Sequence, residues 1–153
     1  MKRFELLLDT PLPAAEAWAR ILDLRAHDRL IPFTHIIEGL ASADELRPGH
    51  RFVACTKIRG VGFRGRLLGF NDVMTIEELE RPTGASAGHA RIVKSGKLIR
   101  GAVTVAVSPR GSGSTVRWSQ DFGLARFGAL VGLAASWVAP LAYRATLRRL
   151  LRG

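Results

Sequence analysis

Residues 127–152, FGALVGLAASWVAPLAYRATLRRLLR, decide how the rest of the chain must fold. Phe127 to Tyr143 is seventeen residues without a charge, bounded by Arg126 and Arg144. The spacing predicts one long C-terminal helix over 125–151. In its last turns Tyr143, Leu147, Leu150 and Leu151 share one face, and Arg144, Arg148 and Arg152 share another. Gly128 and Gly132 stand at GxxxG spacing, so a membrane span has to be weighed. Crossing hydrocarbon takes about twenty apolar residues, whereas this run is shorter and holds Ser136 and Pro140. A helix apolar on all sides that does not span must be covered by protein.

The preceding sequence supplies the cover. STVRWSQDF (114–122) and LIRGAVTVAVS (98–108) alternate as strands and are joined by PRGSG. HARIVKS (89–95), an extended run from Phe63 to Glu80 expected to bend or bulge at Gly69 to Asp72, RFVACTKI (51–58) and THIIEGLA (34–41) lie before them. The turn signal RPG at Arg47 to Gly49 separates the last two. RFELLLD (3–9) is a first strand. Pro13 then starts a helix whose apolar stripe is Ala14, Ala17, Trp18, Ile21 and Leu22, and Leu24 to Pro32 forms a second short helix. The expected fold class is α+β: a curved seven-stranded antiparallel sheet wrapped around the long C-terminal helix, with two short helices after the first strand, as one domain over 1–153.

Composition agrees with a globular chain, with hydrophobic residues at 47% and charged residues at 24%. Charge is uneven: residues 1–50 hold six basic and eight acidic side chains, whereas Arg126 to the end has five arginines and no acid. That basic tail attracts anions. Arg144, Arg148, Arg149 and Arg152 are its candidate contacts to an anionic membrane surface, with helix-dipole complementation as the simpler role. Nucleic acid is disfavoured, because surface aromatics interleaved for base stacking are missing. Cys55 is the sole cysteine, and Met1 to Asp9 is strand-like without a signal-peptide pattern, so a cytoplasmic location is expected.

The order and spacing of these features resemble the helix-grip superfamily of START-like and Bet v 1-like proteins (SRPBCC), in its polyketide cyclase/dehydrase-like branch. The resemblance rests on the strand before the Pro-started helix with Trp18, on Asp23 and Pro32 in the helical pair, on Pro48-Gly49 opening a strand, on the Glu80-Arg81-Pro82 turn, and on the strands Gly101 to Pro109 and GSTVRW. It implies an apolar ligand cavity between sheet and C-terminal helix, and hence binding or transport of a lipid, isoprenoid or polyketide. Relatives that are cyclases, aromatases or dehydratases imply a catalytic alternative, and ribosome-associated relatives an RNA-directed one.

Strand parity turns Val116, Trp118, Gln120 and Phe122 inward, with Ile99, Gly101, Val103, Val105 and Val107 on the neighbouring strand. Thr56 shares the inward phase of Phe52, Ala54 and Ile58. The expected ligand-binding residues are Thr56, Trp118, Gln120 and Phe122 from the sheet, and Phe127, Val131 and Trp137 from the helix. The facing of residues 73–95 stays open, because VMTIEELE and HARIVKS alternate imperfectly.

Other motifs carry less. Gly60 to Gly65 reads GxGxxG, yet strand-like sequence follows where a dinucleotide site needs a helix N-terminus, so a hairpin turn is the better account. The four histidines and Cys55 lack metal-ligand spacing, and no metal or other cofactor is expected. Asp23 and His27 stand at i and i+4, which permits a surface hydrogen bond or a polar pair at the cavity mouth, the surface being the expectation. No nucleophile elbow or ordered triad supports nucleophilic catalysis, and no catalytic residue is assigned.

Overall fold

The computed structural model describes residues 2–58, 68–124 and 129–153; the side chains of 58, 68, 122, 124 and 129–137 lie outside that description. The elements in chain order are β1 (Lys2–Thr10), α1 (Ala14–Ile21), α2 (Leu24–Leu30), β2 (Thr34–Glu38), a 3-10 turn at Ala43–Glu45, β3 (Arg51–Ile58), β4 (Leu68–Glu80), β5 (Gly88–Ser95), β6 (Ile99–Arg110), β7 (Gly113–Leu124) and α3 (Ala129–Arg152). All seven strands form one antiparallel sheet in the order β1-β7-β6-β5-β4-β3-β2. The expected helix-grip arrangement is therefore present, with α3 packed on β1 and on both short helices.

Local chemistry explains the elements. Pro13 precedes the first turn of α1, whose Ala14, Ala17, Trp18 and Ile21 are all buried. Asp23 caps α2 by accepting from the Arg25 N–H at 3.0 Å. Its side chain is thus a helix cap and not the partner of the His27 ring that i,i+4 spacing suggested, although its backbone carbonyl accepts from the His27 N–H at 3.1 Å. Gly49 adopts a φ of +90° in the turn where the His50 N–H donates to the Arg47 carbonyl, which is the conformation the RPG signal calls for.

The core continues from the α1 stripe into the inward phases of β6 and β7, where Val105, Val107 and Val116 are fully buried. Leu147, Leu150 and Leu151 close it from α3. Parity therefore holds on both strands.

The expected C-terminal helix is described from Ala129 to Arg152, one residue past its expected end, and residues 125–128 lie outside the described residues. One detail differs from expectation. Pairing between β3 and β4 runs without a break from Arg51↔Thr75 to Ile58↔Leu68, so no bulge lies at Gly69 to Asp72. The irregularity is instead in the β4–β5 pairing, between Ile76 and Glu78. The expected GxGxxG hairpin, residues 60–65, lies outside the described residues.

Candidate functional site

The inward faces of β3, β4, β5, β6 and β7, together with α1, α2 and α3, enclose a cavity of about 280 Å³. Phe52, Ala54 and Thr56 come from β3, and Phe70, Asp72 and Met74 from β4. Ile92 and Lys94 follow on β5, Ile99 and Val103 on β6, and Trp118 and Gln120 on β7. α3 contributes Ala139 and Tyr143. Of the lining residues, Asp72, Lys94, Val103, Trp118 and Gln120 are buried, whereas Asp28, Ile31, Thr34, Ile36 and Ala139 are half-buried. The lining is thus mainly apolar, with a few buried polar groups among it.

Three sequence-derived ligand residues, Thr56, Trp118 and Gln120, are on this wall. Thr56 shares a 2.9 Å hydrogen bond with the Thr34 hydroxyl across the β2–β3 pair. The Trp118 indole N–H donates to Gln120 Oε1 at 3.3 Å. The side chains of Phe122, Val131 and Trp137, and all of Phe127, lie outside the described residues.

On the cavity lining the structure adds an ion pair that the sequence reading missed. Lys94 Nζ donates to Asp72 Oδ2, with the two residues only 5% and 7% exposed. Ala54 pairs with Asp72 and Met74 with Lys94, so the two charges are diagonal neighbours on the inward face of adjacent strands. Asp72 Oδ1 is buried and, among the described residues, accepts no hydrogen bond. Burial pulls the Lys94 ammonium down, but attraction to the Tyr143 oxygen and to Asp72 outweighs it. Its pKa therefore lies above the ordinary lysine value, and the ammonium is charged at neutral pH.

Rings on the same lining pack together. Tyr143 lies 5.7 Å from Trp118 and 5.8 Å from Phe4, and Trp118 stacks at 6.4 Å on His27. His27, expected at the surface, instead lines the cavity. Its Nε2 is 2.7 Å from the Ile21 carbonyl, an acceptor, so Nε2 carries the proton and Nδ1 is left as an acceptor. Burial lowers the His27 pKa, which leaves the ring neutral at pH 7. Asp28, also on the lining, accepts from the Ile36 N–H at 2.7 Å.

The wall is thus mainly apolar, with hydroxyl, amide, imidazole and paired-charge groups at fixed points, which is suited to an apolar molecule with a polar end. Among the described residues no cluster of three His, Cys, Asp or Glu side chains is placed to hold a metal.

A family model described as polyketide cyclase / dehydrase and lipid transport matches residues 1–152. The chain belongs to that family. Polyketide cyclase/dehydrase and lipid transport proteins share the Bet v 1-like helix-grip fold, and solved structures agree. Ara h 8.0201 superposes with a TM-score of 0.61 at 14% identity, over 99% of each chain. A protein from Chromobacterium violaceum gives 0.63 at 13% identity, over 99% of this chain and 96% of its own. The Zhui aromatase/cyclase of a Streptomyces species gives 0.56 at 10% identity, over 99% and 94%. At such identities the likeness concerns the fold. Curated protein sequences give no match. Membership in the family supports either hydrophobic ligand binding or cyclase chemistry.

The arginines of α3 divide between two places. Arg144, Arg148 and Arg152, spaced one turn apart, border a groove with Arg20 and the half-exposed Leu7 of β1. Arg149 is exposed but not on that groove. Among the described residues, no helix is long and apolar enough to cross a membrane.

Proposed function

We propose that this chain, acting as one helix-grip domain over 1–153, binds a hydrophobic small molecule of the lipid, isoprenoid or polyketide class between its sheet and α3. The supporting observation is the cavity of about 280 Å³, lined mainly by apolar side chains with a few buried polar groups. In this reading Phe52, Met74 and Ile92 hold the body of the ligand, while Trp118, Gln120, Tyr143 and the Asp72–Lys94 pair meet its polar end. Thr56 lies diagonally across from Asp72 on the adjacent strand. Phe122, Phe127, Val131 and Trp137 remain part of the proposed site on sequence grounds alone.

Native mass spectrometry of the purified protein, with uptake of the neutral dye N-phenyl-1-naphthylamine after organic extraction, tests the reading. A retained hydrophobe or saturable dye binding, lost in Ala54→Trp where the indole fills the cavity, is the expected result. Absence of both retained hydrophobe and dye uptake would overturn it.

One observation favours a second, catalytic reading of the polyketide cyclase/dehydratase type. The Lys94 ammonium paired with the Asp72 carboxylate and the Tyr143 phenol line one cavity, where proton transfer and stabilisation of an enolate are both possible. Cyclisation of a poly-β-keto thioester mimic that ceases in Tyr143→Phe would favour catalysis over carriage.

The Arg144, Arg148 and Arg152 groove supports peripheral contact of a cytoplasmic protein with an anionic membrane face, with Arg149 beside it. Each such arginine contributes about 1 kcal/mol near that surface. Salt-sensitive co-sedimentation with phosphatidylglycerol vesicles, lost when all four are changed to Gln, is expected. Equal recovery with neutral vesicles would assign these arginines to the solvated helix end.

A further inference from the structure

The Asp72–Lys94 pair narrows the ligand class, granted the cavity-binding reading above. Among the described residues, the charged groups lining the cavity are Asp28, Asp72 and Lys94, with His27 neutral. The site therefore carries no surplus of positive charge. An ammonium has three donors, and Lys94 directs one at Asp72 Oδ2. Among the described residues Asp72 Oδ1 accepts nothing, although it is buried. A buried carboxylate oxygen without a donor is a costly arrangement that one more O–H would relieve.

We infer that the ligand is a neutral hydrophobe bearing a hydroxyl or phenol, whose O–H donates to Asp72 and whose oxygen accepts from Lys94, and that the same pair disfavours carboxylates such as free fatty acids. A hydroxyl matches the pair because it is both donor and acceptor, as the carboxylate and ammonium together require. An ionised carboxylate has no proton to give Asp72. It would also place a second negative charge against Asp72 in a medium where water cannot screen it. An ether accepts from Lys94 but leaves Asp72 as it was.

The test uses three ligands with one aromatic body: 2-naphthol, 2-methoxynaphthalene and 2-naphthoate, titrated calorimetrically into the intact protein at pH 7. 2-Naphthol should bind at least roughly tenfold tighter than the methyl ether, as expected for a hydrogen bond to a charged group, although the ether is the more apolar molecule. It should exceed 2-naphthoate by as much or more. Asp72→Asn leaves the Lys94 ammonium without its counter-charge and should shift the naphthol-to-naphthoate ratio at least roughly tenfold toward naphthoate.

Equal or tighter binding of the ether or of naphthoate to the native protein would overturn the inference, whether or not the variant folds. An unchanged ratio in a folded Asp72→Asn would do the same. If neither naphthol nor naphthoate binds while N-phenyl-1-naphthylamine does, the headgroup assignment fails and the cavity reading survives. If none of these compounds binds, both fail.

Discussion

Removing Lys94 and Asp72 separately and together measures what the buried pair costs the fold. Lys94→Met leaves a carboxylate almost without water or counter-charge, since Asp72 is 7% exposed. Breaking one partner of a buried pair costs about 3–5 kcal/mol. An independent bound agrees: at pH 7 the stranded carboxylate can escape by binding a proton, and at about 1.4 kcal/mol per unit over roughly three units that costs about 4 kcal/mol. Asp72→Leu, stranding the ammonium, is bounded in the same way. The double variant Asp72→Leu/Lys94→Met strands nothing and can extend its new methyl groups into the cavity. It should fall between unchanged and about 1–4 kcal/mol more stable. Urea unfolding followed by tryptophan fluorescence reads all four proteins. The carboxylate stranded in Lys94→Met has a raised folded-state pKa, so that variant should regain stability as pH falls from 7 toward 5, by at most about 1.4 kcal/mol per pH unit. Single substitutions costing less than about 1 kcal/mol each, or costs that add in the double variant, would refute the claim that the two charges are buried against each other.

Gln120→Leu removes the acceptor of the buried Trp118 N–H and should cost about 1–3 kcal/mol, read by the same urea assay; an unchanged midpoint would mean that the indole finds another partner. Because burial depresses the folded-state pKa of His27, the unfolded chain gains a proton near pH 6.5 that the folded chain refuses. The native protein should therefore lose stability relative to His27→Gln as pH falls below about 6.5, and parallel pH curves for the two would count against a buried ring. At Gly113 a methyl group would lie 2.3 Å from the Thr10 carbonyl oxygen, so Gly113→Ala should cost about 1–3 kcal/mol. An unaltered thermal midpoint would show that the β1–β7 end moves aside freely.

Legibility of the chain follows the strictness of its alternation. β3 and β7 alternate cleanly, so Phe52, Ala54 and Thr56 and then Val116, Trp118 and Gln120 could be assigned to the inner face from sequence. The apolar stripe of α1 was equally plain, and every member is buried. β4 and β5 were not readable because the phase slips where Ile76 and Glu78 meet β5, beside the adjacent acids Glu77 and Glu78. A signal did exist: Asp72 keeps step with Met74 and Ile76, and Lys94 with Ala90 and Ile92. Opposite charges in the inward phase of neighbouring strands point to a buried pair. His27 was misplaced for a different reason. It is three residues after the buried Leu24 and so shares its face, but α2 is too short for Leu24, Ala26 and Leu30 to define a stripe.

The site's polar groups are built almost wholly on regular structure. Asp72, Lys94 and Gln120 stand on strands hydrogen-bonded on both sides, and Tyr143 stands on α3 between the rings of Trp118 and Phe4. Such groups have little freedom to turn toward a mismatched headgroup, so discrimination rests on their fixed positions. α3 also carries Arg144 next to Tyr143 in sequence, with the cavity served by one and the arginine groove by the other. Contact with an anionic surface at that groove would therefore act on the same rigid helix that closes the ligand site. The core beneath it, centred on Val105, Val107, Val116 and Leu147, needs neither charge to pack. A buried pair that the packing does not require, with one carboxylate oxygen left unbonded, is better explained by a ligand that completes it than by the stability of the empty fold.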